Sequence, residues 1–271
     1  MRKSMNYFYL KNIILLSGIF SALMPAAHAV QNILPFKVGD KDNYSVKYKF
    51  LSGGCYQSEV VSATRTPTGT LYHFRSIAKS SATVSAFYPI KLTFDSYWDT
   101  SISASSRFEM HGRDGPEHKD QIEILSSANK KCTMTETVTK ISKNELAATP
   151  KPPVSFPMNQ YSQDLVSSLY FIRTLSLPTS PAGKLSLAIV YDCEPWTLTI
   201  TYLESETVDV KGEDVDANVY SLSNTNEKGE TSTPVKIWVT TDPSHTIALI
   251  QGSIPIGKVK ARLQDTADCD E

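Results

Sequence analysis

Alternating apolar and polar residues form the dominant pattern along this chain. The pattern recurs in segments 44–50, 185–191, 197–202 and 258–263. In the first segment, the apolar side chains occupy every second position: Tyr44, Val46, Tyr48 and Phe50. Because successive side chains of a strand point to opposite faces, each segment predicts a strand with one apolar face and one mostly polar face.

Turn-forming residues separate the predicted strands. Ser52-Gly53-Gly54 is predicted to end the first strand, and residues 66–70 to form a hairpin loop between strands near 56–65 and 70–79. Asp192-Cys193-Glu194-Pro195 is predicted to join two later strands. Further polar loops are predicted at residues 111–116 and 224–233. Such a series of strands indicates a mainly β protein whose antiparallel curved sheet forms a barrel or half-barrel.

One segment has helical rather than strand periodicity. Its apolar residues recur three and four positions apart: Leu165, Val166, Leu169, Tyr170 and Ile172. Ser162 is a suitable N-cap residue, and Pro178 lies just beyond the end of the pattern. The segment predicts a single short helix near residues 163–175.

A proline-rich stretch near residues 147–161 precedes this helix. Proline restricts the backbone, so the stretch predicts a stiff, extended connection. It either links two domains or crosses between two halves of one sheet. We favour the crossover because neither half obviously closes a core alone. A single all-β domain can also reach the 242 residues that remain after position 29, since 271 minus 29 is 242. The expected organisation is one β-rich domain at residues 30–271.

The N-terminal segment has the layout of a secretory signal peptide. Arg2, Lys3 and Lys11 supply positive charge, an apolar run covers residues 13–24, and Ala27-His28-Ala29 provides small residues for a signal peptidase. Cleavage is predicted after Ala29. The alternative is an uncleaved anchor, although the run is short for a membrane span. We therefore expect a periplasmic protein with no membrane span after signal removal.

Charge excludes one class of partner. Removing the signal takes away three cations and no anions, so the net charge changes from −1 to −4. A mildly acidic chain lacks the basic footprint of a nucleic-acid-binding protein. It also contains no polybasic segment for anionic lipid headgroups. We expect no nucleic-acid partner.

All the cysteines lie beyond the signal peptide: Cys55, Cys132, Cys193 and Cys269. An even number in an exported chain predicts two disulfides, and the spacing matches no zinc template. The alternative is a set of buried free thiols. Three pairings are open. We expect Cys55 with Cys132 and Cys193 with Cys269, because this pairing ties the acidic tail to the second half of the chain.

Known catalytic motifs are absent from the sequence. It contains no GxSxG elbow, no HExxH and no Walker A pattern. His111 and His118 flank acidic residues that could bind a metal ion, but a loop fixes no ligand geometry, which favours a solvated polar loop. Asp242 and His245 near serines suggest a hydrolase triad, whereas Pro243 favours a β-turn. We expect no enzymatic activity, no metal and no cofactor.

Aromatic residues are candidates for a binding surface. Tyr97 and Trp98 lie together in one predicted strand, and Trp238 lies in another. In a curved sheet such side chains can line an apolar concavity that holds an acyl chain. The alternative is that they fill the core. Tyr97, Trp98 and Trp238 are therefore our candidates for lining a ligand site.

Several of these segments resemble a family of exported bacterial proteins catalogued as domain of unknown function 3108. Residues 36–48 resemble its opening strand, residues 94–99 its central aromatic-acidic segment and residues 164–175 its short helix. Residues 237–242 and 256–263 resemble its closing pair of strands. The resemblance spans nearly all of residues 33–265, and it rests on the order and spacing of the segments.

The chain departs from this family pattern in two places. His245 stands where a basic Arg or Lys is expected, and Cys269 lies in an added acidic tail. The resemblance implies a mainly antiparallel β shell with a helix, similar to the half-barrels of lipoprotein carriers. It implies no established reaction, and a shared fold does not determine function.

Three functional hypotheses follow. The leading one is a non-enzymatic periplasmic protein that binds a hydrophobic or amphipathic envelope molecule, such as a lipid, in a β half-barrel. The second is an assembly factor that binds an envelope protein through an exposed strand edge or the 222–233 loop. The third is an exported hydrolase. A wide apolar cavity favours the first hypothesis, and a filled core with a conspicuous exposed edge favours the second. A polar cleft that joins His245, Asp242 and a nucleophilic serine favours the third.

Overall fold

The computed structural model describes residues 34–141, 146–254, 257–265 and 269. The signal segment and its predicted cleavage position lie outside the described residues. The strands are β1 (Lys41–Tyr48), β2 (Leu51–Arg65), β3 (Thr70–Ser80), β4 (Ile90–Asp99), β5 (Ala104–Asp114), β6 (Glu117–Ser126), β7 (Lys131–Ile141), β8 (Leu146–Pro150), β9 (Val154–Pro157), β10 (Lys184–Tyr191), β11 (Glu194–Val210), β12 (Glu213–Asn226), β13 (Val235–Thr240), β14 (Ile247–Ile254) and β15 (Gly257–Gln264). The helices are α1 (Ala82–Ser85) and α2 (Leu165–Arg173).

All these strands belong to one antiparallel sheet. Its order is β10-β11-β12-β13-β14-β15-β1-β2-β3-β4-β5-β6-β7-β8, and β9 pairs with the first part of β7 while β8 pairs with its last part. The first and last strands of the chain meet at the centre of the sheet, where Tyr44 lies opposite Leu263. The two edges of the sheet, β8 and β10, therefore come from the middle of the chain.

The connection between β9 and β10 links these edges and contains α2. Helix α2 packs against β3, β4 and β10. Just before the helix, Gln163 forms a parallel bridge with Ile189 of β10, and the carbonyl of Ser162 accepts a hydrogen bond from the Ser105 amide at 3.1 Å. The sheet does not close, so the fold is an open half-barrel, and the predicted fold class is confirmed.

Apolar residues from both halves of the chain fill the inner side of the sheet. One cluster includes Phe36, Phe74, Trp98 and Tyr170, and the Phe74 and Tyr170 rings stack with their centroids 3.9 Å apart. A second cluster lies among β10 to β14 and includes Ile172 of α2. Because α2 contributes to both clusters, it joins the two halves from the inside.

The hairpin of β11 and β12 extends past its neighbours and covers part of the opposite face. An irregular register at residues 202–204 precedes this extension. Beyond it, Val208 packs with Trp238 and Leu249 in a third apolar cluster. The Trp238 indole also donates a hydrogen bond to Glu206. This hairpin gives the second half of the sheet a local second layer.

The first hairpin differs from its prediction. β1 ends at Tyr48, and Lys49 adopts a left-handed backbone conformation with φ of 53°. The chain therefore turns at Lys49 and Phe50, and the side chain of Phe50 is 88% exposed at the tip instead of lying on the apolar face. The glycines at 53–54, predicted to end the strand, lie inside β2.

Other predicted turns lie where the sequence placed them, but they contain fewer residues than predicted. The hairpin at residues 66–69 joins β2 to β3. β5 continues through Asp114, so the predicted 111–116 loop reduces to a turn at Gly115 and Pro116. β12 continues to Asn226, so the predicted 224–233 loop begins only after it.

The helical and proline-rich segments also differ in detail. Helix α2 begins at Leu165 with Asp164, not Ser162, as its N-cap. The single-turn helix α1 lies between β3 and β4, so the prediction of only one helix is wrong. The proline-rich stretch contains β8 and β9, which both pair with β7. Among the described residues, no helix has the length and hydrophobicity needed to cross a membrane.

Two disulfides are present, but the predicted pairing is wrong. Cys55 bonds to Cys269, and Cys132 bonds to Cys193. Cys132 lies on β7 near one edge of the sheet, and Cys193 lies in the turn that follows the other edge strand, β10. This bond therefore joins the two edges across the open side. The Cys55–Cys269 bond attaches the C-terminal segment to β2.

Candidate functional site

A small cleft of ≈ 20 Å³, which has room for about one water molecule, lies between α2 and the central strands of the sheet. Its lining combines aromatic, aliphatic and charged side chains: Asp42, Tyr44, Tyr56, Ser58, Leu169, Tyr170, Arg173 and Ile247. Ligand sites commonly combine apolar walls with a few convergent polar groups, and they usually enclose roughly 300–1,000 Å³, which is far more than this cleft. Within the described part of the chain, we take this cleft as the candidate site.

Arg173, the last residue of α2, provides the positive charge of the cleft. Its Nη1 donates to Asp42 Oδ2 at 3.0 Å, and its Nη2 donates to the carbonyl oxygens of Pro35 and Ser244 at 3.2 Å each. The guanidinium carbon lies 5.9 Å from the ring centre of Phe36. Burial raises the pKa of Asp42, and the guanidinium offsets only part of this rise. The ion pair therefore holds the end of α2 against β1.

A chain of hydroxyl groups forms the opposite wall. Tyr56 donates to Ser76 at 2.9 Å, the Ser76 and Ser58 hydroxyls lie 3.0 Å apart, and Ser58 and Tyr170 lie 2.9 Å apart. The Tyr44 hydroxyl donates to a backbone carbonyl of β14 at 2.8 Å. Burial raises the pKa values of all three tyrosines, so these hydroxyls stay protonated at neutral pH. The wall offers neutral hydrogen-bonding groups and no activated nucleophile.

Asp164 fixes the other end of α2. Its Oδ1 accepts the backbone amides of Val166 and Ser167 at 2.8 Å each, which is the geometry of an N-cap. Its Oδ2 accepts the hydroxyls of Ser96 at 2.6 Å and Ser105 at 2.5 Å. Burial raises the pKa of Asp164, and these hydrogen bonds oppose the rise. The helix is thereby tied to β4 and β5.

Replacing Arg173 with methionine is expected to lower the free energy of unfolding by about 2–3 kcal/mol. Removing one partner of a fully buried ion pair costs about 3–5 kcal/mol, and Asp42 is 21% exposed, which reduces the effect. Urea denaturation with intact disulfides measures it. Lys41→Met is the control, because the exposed Lys41–Glu59 pair contributes at most about 1 kcal/mol. Equal losses in the two variants would contradict this role for Arg173.

The structure does not bring the predicted ligand-lining aromatics together. Trp98 is 1% exposed and lies inside the first core cluster. Tyr97, its neighbour on β4, points to the opposite face and stacks on His73 with centroids 4.6 Å apart. Trp238 lies in the third cluster, beneath the long hairpin. The three side chains therefore share no common wall.

The histidines at the β5–β6 hairpin belong to a polar network on the outer face of the sheet. His111 Nδ1 lies 3.0 Å from Asp120 and Nε2 lies 3.1 Å from Glu109. Burial alone would lower the pKa of His111, but these carboxylates outweigh it and raise the pKa. His118 Nε2 lies 3.5 Å from Asp120. Only the His111–Asp120 contact joins neighbouring strands, because Glu109 lies on β5 with His111 and Asp120 lies on β6 with His118.

Asp242 and His245 occupy a turn. Asp242 Oδ1 accepts the backbone amide of Ser244 at 2.7 Å. Burial raises the pKa of Asp242, but hydrogen bonds from Ser244 and Thr240 and the charge of His245 together outweigh it and lower the pKa. His245 Nδ1 donates to the carbonyl of Arg173 at 2.9 Å. The imidazole is therefore oriented by the end of α2 and not by Asp242, unlike the arrangement of a catalytic triad.

Glu123 is a buried carboxyl group beside the Cys132–Cys193 disulfide. Its Oε1 accepts a hydrogen bond from Gln121 at 2.7 Å, and its Oε2 lies 3.8 Å from the Cys132 sulfur. Burial raises the pKa of Glu123 to about 8. Ligand atoms of Glu123, Cys132 and Cys193 lie within 4.8 Å of one another. The sulfurs bond to each other, so this trio is not a metal site in the oxidised protein.

Replacing Glu123 with glutamine is expected to flatten the pH dependence of stability. The pKa of Glu123 is about 8 in the folded protein and 4.5 in its ordinary state, so between these values the folded chain holds a proton that the unfolded chain has released. The contribution of Glu123 to the free energy of unfolding is therefore greatest below about pH 4.5, and it decreases as the pH rises towards 8. Urea denaturation at pH 5, 6, 7 and 8 measures this decline. Glu227→Gln is the exposed control, and an unchanged slope in Glu123→Gln would refute the assignment.

The sequence analysis missed Arg173 and the other polar residues of the cleft. The sequence did contain one signal for Arg173. It is the single charged residue of α2, whose other residues are serines and apolar or aromatic residues. Its partner Asp42 lies far away in the chain, in a strand whose place beside β15 the sequence does not reveal. The missed residues are those that only the topology brings together.

The fold and the cleft define an open antiparallel β half-barrel with an internal helix and a small polar-aromatic cleft. A family model described as "Protein of unknown function (DUF3108)" matches residues 43–264. The chain belongs to this family, and the resemblance noted from its sequence is confirmed. No curated protein matches the chain.

Solved structures with this general fold are distant in sequence. A β-barrel-like protein of domain of unknown function DUF1849 from Brucella abortus shows 10% identity and a TM-score of 0.47, covering 83% of this chain and 95% of that one. The hypothetical lipoprotein YmcC from Escherichia coli shows 9% identity and a TM-score of 0.29, covering 85% and 87%. A protein with a YmcC-like fold from Bacteroides fragilis, whose name describes it as exported, shows 9% identity and a TM-score of 0.36, covering 85% and 96%.

Proposed function

We propose that this protein is a non-catalytic binding protein of the cell envelope, which acts through its outer surface and not through an enclosed lipid cavity. The filled inner side of the half-barrel carries the proposal. Trp98, Phe74 and Tyr170 pack there in contact with the helix that crosses between the two edges. An acyl chain in this space would have to displace both the helix and the aromatic core. The filled core therefore argues against the first of the three hypotheses and leaves the outer surface as the place of binding.

Export and a periplasmic location form part of this proposal. The N-terminal charge pattern, the apolar run and the small residues at Ala27 and Ala29 support cleavage after Ala29. The two disulfides support an oxidising compartment. The names of two structural neighbours, an exported protein and a lipoprotein, are consistent with it.

A non-enzymatic role is supported by the contacts of the histidines. Each of His73, His111 and His118 lies beside a carboxylate on the outer face, and His245 contacts a backbone carbonyl. In these contacts no serine hydroxyl is paired with an imidazole, which is the pairing that activates a serine nucleophile. The hydrolase hypothesis has no assembled site to support it among the described residues.

The Arg173 cleft favours a second candidate function, the recognition of a small amphipathic molecule. Leu169, Ile247 and the tyrosine rings offer apolar contact, while Arg173 and the hydroxyl chain offer polar contact. The cleft has room for about one water molecule, so an amphipathic ligand would bind at its mouth, and a complete diacyl lipid would not fit.

Native mass spectrometry of the protein purified from its own envelope tests these proposals together. We expect a polypeptide that begins at Val30 and carries no stoichiometric diacyl lipid. A lipid retained at one molecule per chain would show that the protein encloses a lipid, and it would refute the proposal that the protein acts through its outer surface. A small retained molecule that Arg173→Met abolishes would support the second candidate, and a mass that includes the apolar N-terminal run would refute cleavage after Ala29.

A further inference from the structure

Large apolar side chains are exposed at one end of the sheet. Phe50 and Phe87 are each 88% exposed, and Leu51 is 46% exposed. Phe50 and Leu51 lie at the tip of the β1–β2 hairpin, and Phe87 lies in the β3–β4 connection just after α1. Single exposed apolar residues are common on protein surfaces. Two nearly fully exposed phenylalanines in adjacent connections at the same end are a local concentration that requires an explanation.

Hydrogen bonds hold these two connections together. The Ser81 amide donates to the Gly53 carbonyl at 3.0 Å, and the Ser81 hydroxyl donates to the Ser52 carbonyl at 2.7 Å. Ser81 is also the N-cap of α1, which precedes Phe87. The start of β2 therefore supports the connection that presents Phe87. The two phenylalanines lie on neighbouring, mutually bonded segments of an ordered sheet end.

Cations from separate strands surround this end on the outer face. Lys47 lies directly opposite Lys260, and Lys91 lies between Lys79 and Arg113 in register. Like charges directly opposite each other on a sheet are destabilising. Two more lysines, at positions 49 and 258, lie at the ends of β1 and β15. Among the described residues, no ion pair joins any of these cations to a carboxylate, whereas Lys41 and Lys228 elsewhere do form such pairs.

The opposite end of the sheet has a different charge. The extended part of the β11–β12 hairpin, residues 204–216, contains one lysine and the carboxylates Glu204, Glu206, Asp209, Glu213, Asp214 and Asp216. The register with β13 to β15 and β1 places this hairpin at the end away from Phe50. An acidic chain thus carries a basic end that no continuous sequence segment reveals. We call the surface formed by Phe50, Phe87 and the surrounding lysines the basic end.

We propose that the basic end docks onto the surface of an anionic phospholipid bilayer. Exposed aromatic side chains can enter the boundary between headgroups and acyl chains, while lysines beside them contact anionic headgroups. A bilayer also supplies the negative charge that the cross-strand cation pairs lack within the protein. The acidic hairpin at the far end would then point away from the membrane. This inference rests on the proposed surface-acting function and names its partner.

Vesicle co-sedimentation of the disulfide-bonded chain from Val30 to Glu271 tests the inference. The probes are vesicles of 30% phosphatidylglycerol in phosphatidylcholine and vesicles of pure phosphatidylcholine. We expect binding to the anionic vesicles at 50 mM salt, at least about tenfold weaker binding to the neutral ones, and strong weakening at 500 mM salt. Equal binding to both vesicle types, or no binding to the anionic vesicles at 50 mM salt, would overturn the proposal.

Matched variants locate the contact. Phe50→Ser with Phe87→Ser should weaken binding to anionic vesicles at least about tenfold, because the apolar contact is lost. Phe156→Ser with Tyr161→Ser, which changes exposed aromatic residues elsewhere, should not. The thermal melt should be unchanged for the first pair, since Phe50 and Phe87 are each 88% exposed, and slightly lower for the second pair, since Phe156 and Tyr161 are 42% and 46% exposed. If the second pair weakens binding as much as the first, or the first pair has no effect, the basic end is not the docking surface.

Charge variants complete the test. Lys47→Gln with Lys91→Gln should weaken binding at least about tenfold, because each lysine near an anionic surface adds to the electrostatic attraction and two of them are removed. Arg65→Gln with Lys131→Gln, at the other ends of β2 and β7, is the control and should bind like the wild type. Failure of these vesicle tests with a lipid-free native mass spectrum would refute membrane docking alone. A tightly retained lipid would refute the surface-acting function itself.

Discussion

Replacing Trp98 with alanine is expected to lower the free energy of unfolding by about 3–5 kcal/mol, the usual cost of deleting a buried Trp or Phe side chain. Trp98 is 1% exposed and its ring lies 6.1 to 6.4 Å from those of Phe36, Phe74 and Phe171. The cavity left behind would lie against both the sheet and α2, so neither can relax without moving the other. Urea denaturation with intact disulfides measures the loss.

Tyr97→Ala is the matched control for this prediction, because Tyr97 is the adjacent residue on the same strand but lies on the outer face. Its removal should cost about 1 kcal/mol or less. Binding of a fluorescent fatty acid, measured in parallel, separates a core role from a ligand-lining role. If Trp98→Ala keeps the wild-type stability but loses fatty-acid binding, Trp98 lines a cavity and the filled-core interpretation is wrong.

Replacing Cys132 and Cys193 together with serine is expected to lower the free energy of unfolding by about 4 kcal/mol. The estimate follows from the chain entropy of a closed loop, here with a sequence separation of 61 residues. This disulfide also joins the two edges of the sheet, so its loss should increase hydrogen exchange in β7, β9 and β10 specifically. Hydrogen exchange followed by mass spectrometry measures the local effect.

The control for this disulfide is Cys55→Ser with Cys269→Ser. That variant should also be less stable, but its increased exchange should appear near the C-terminal segment and β2, and the edge strands should stay protected. If both variants give the same exchange pattern, the Cys132–Cys193 bond does not hold the open side of the half-barrel.

Local patterns predicted most of the strands because a half-buried sheet imposes a period of two on its sequence. The segments at 185–191 and 258–263 correspond closely to β10 and β15. The alternating pattern gave the wrong position for Phe50 because it continues for two residues past the end of β1 at Tyr48. Lys49 and Phe50 are not typical turn residues. A strand that ends without a turn signal cannot be recognised from periodicity alone.

The choice of helix cap shows a related difficulty. Ser162 and Asp164 are both good N-cap residues by local criteria. Asp164 is the cap because its second carboxylate oxygen also reaches Ser96 and Ser105 on strands far away in the sequence. The Ser162 carbonyl is used instead to bind the Ser105 amide. Tertiary contacts therefore decide between two locally equivalent starts.

The candidate site was the least predictable part of the structure. The Arg173 cleft combines residues of β1, β2, α2 and β14, and the basic end combines residues of β1 and β15 with residues of β3 to β5. Their proximity depends on the pairing of β1 with β15, which no local pattern encodes. The disulfide pairing depends on the same topology. Residue types identified the candidate chemistry, but the order of strands in the sheet determines which groups meet.

The nested arrangement of the disulfides has a consequence for how the chain matures. Cys55 and Cys132 are the first two cysteines to emerge during synthesis, but the native partner of Cys55 follows it by 214 residues. An oxidant that acts on the chain during export would therefore join Cys55 to Cys132, a bond that is absent from the folded protein. Correct pairing requires either that oxidation waits until Cys269 has emerged or that an isomerase exchanges the first bond. Yield in an oxidising compartment should then depend on disulfide isomerase activity more than on the supply of oxidant.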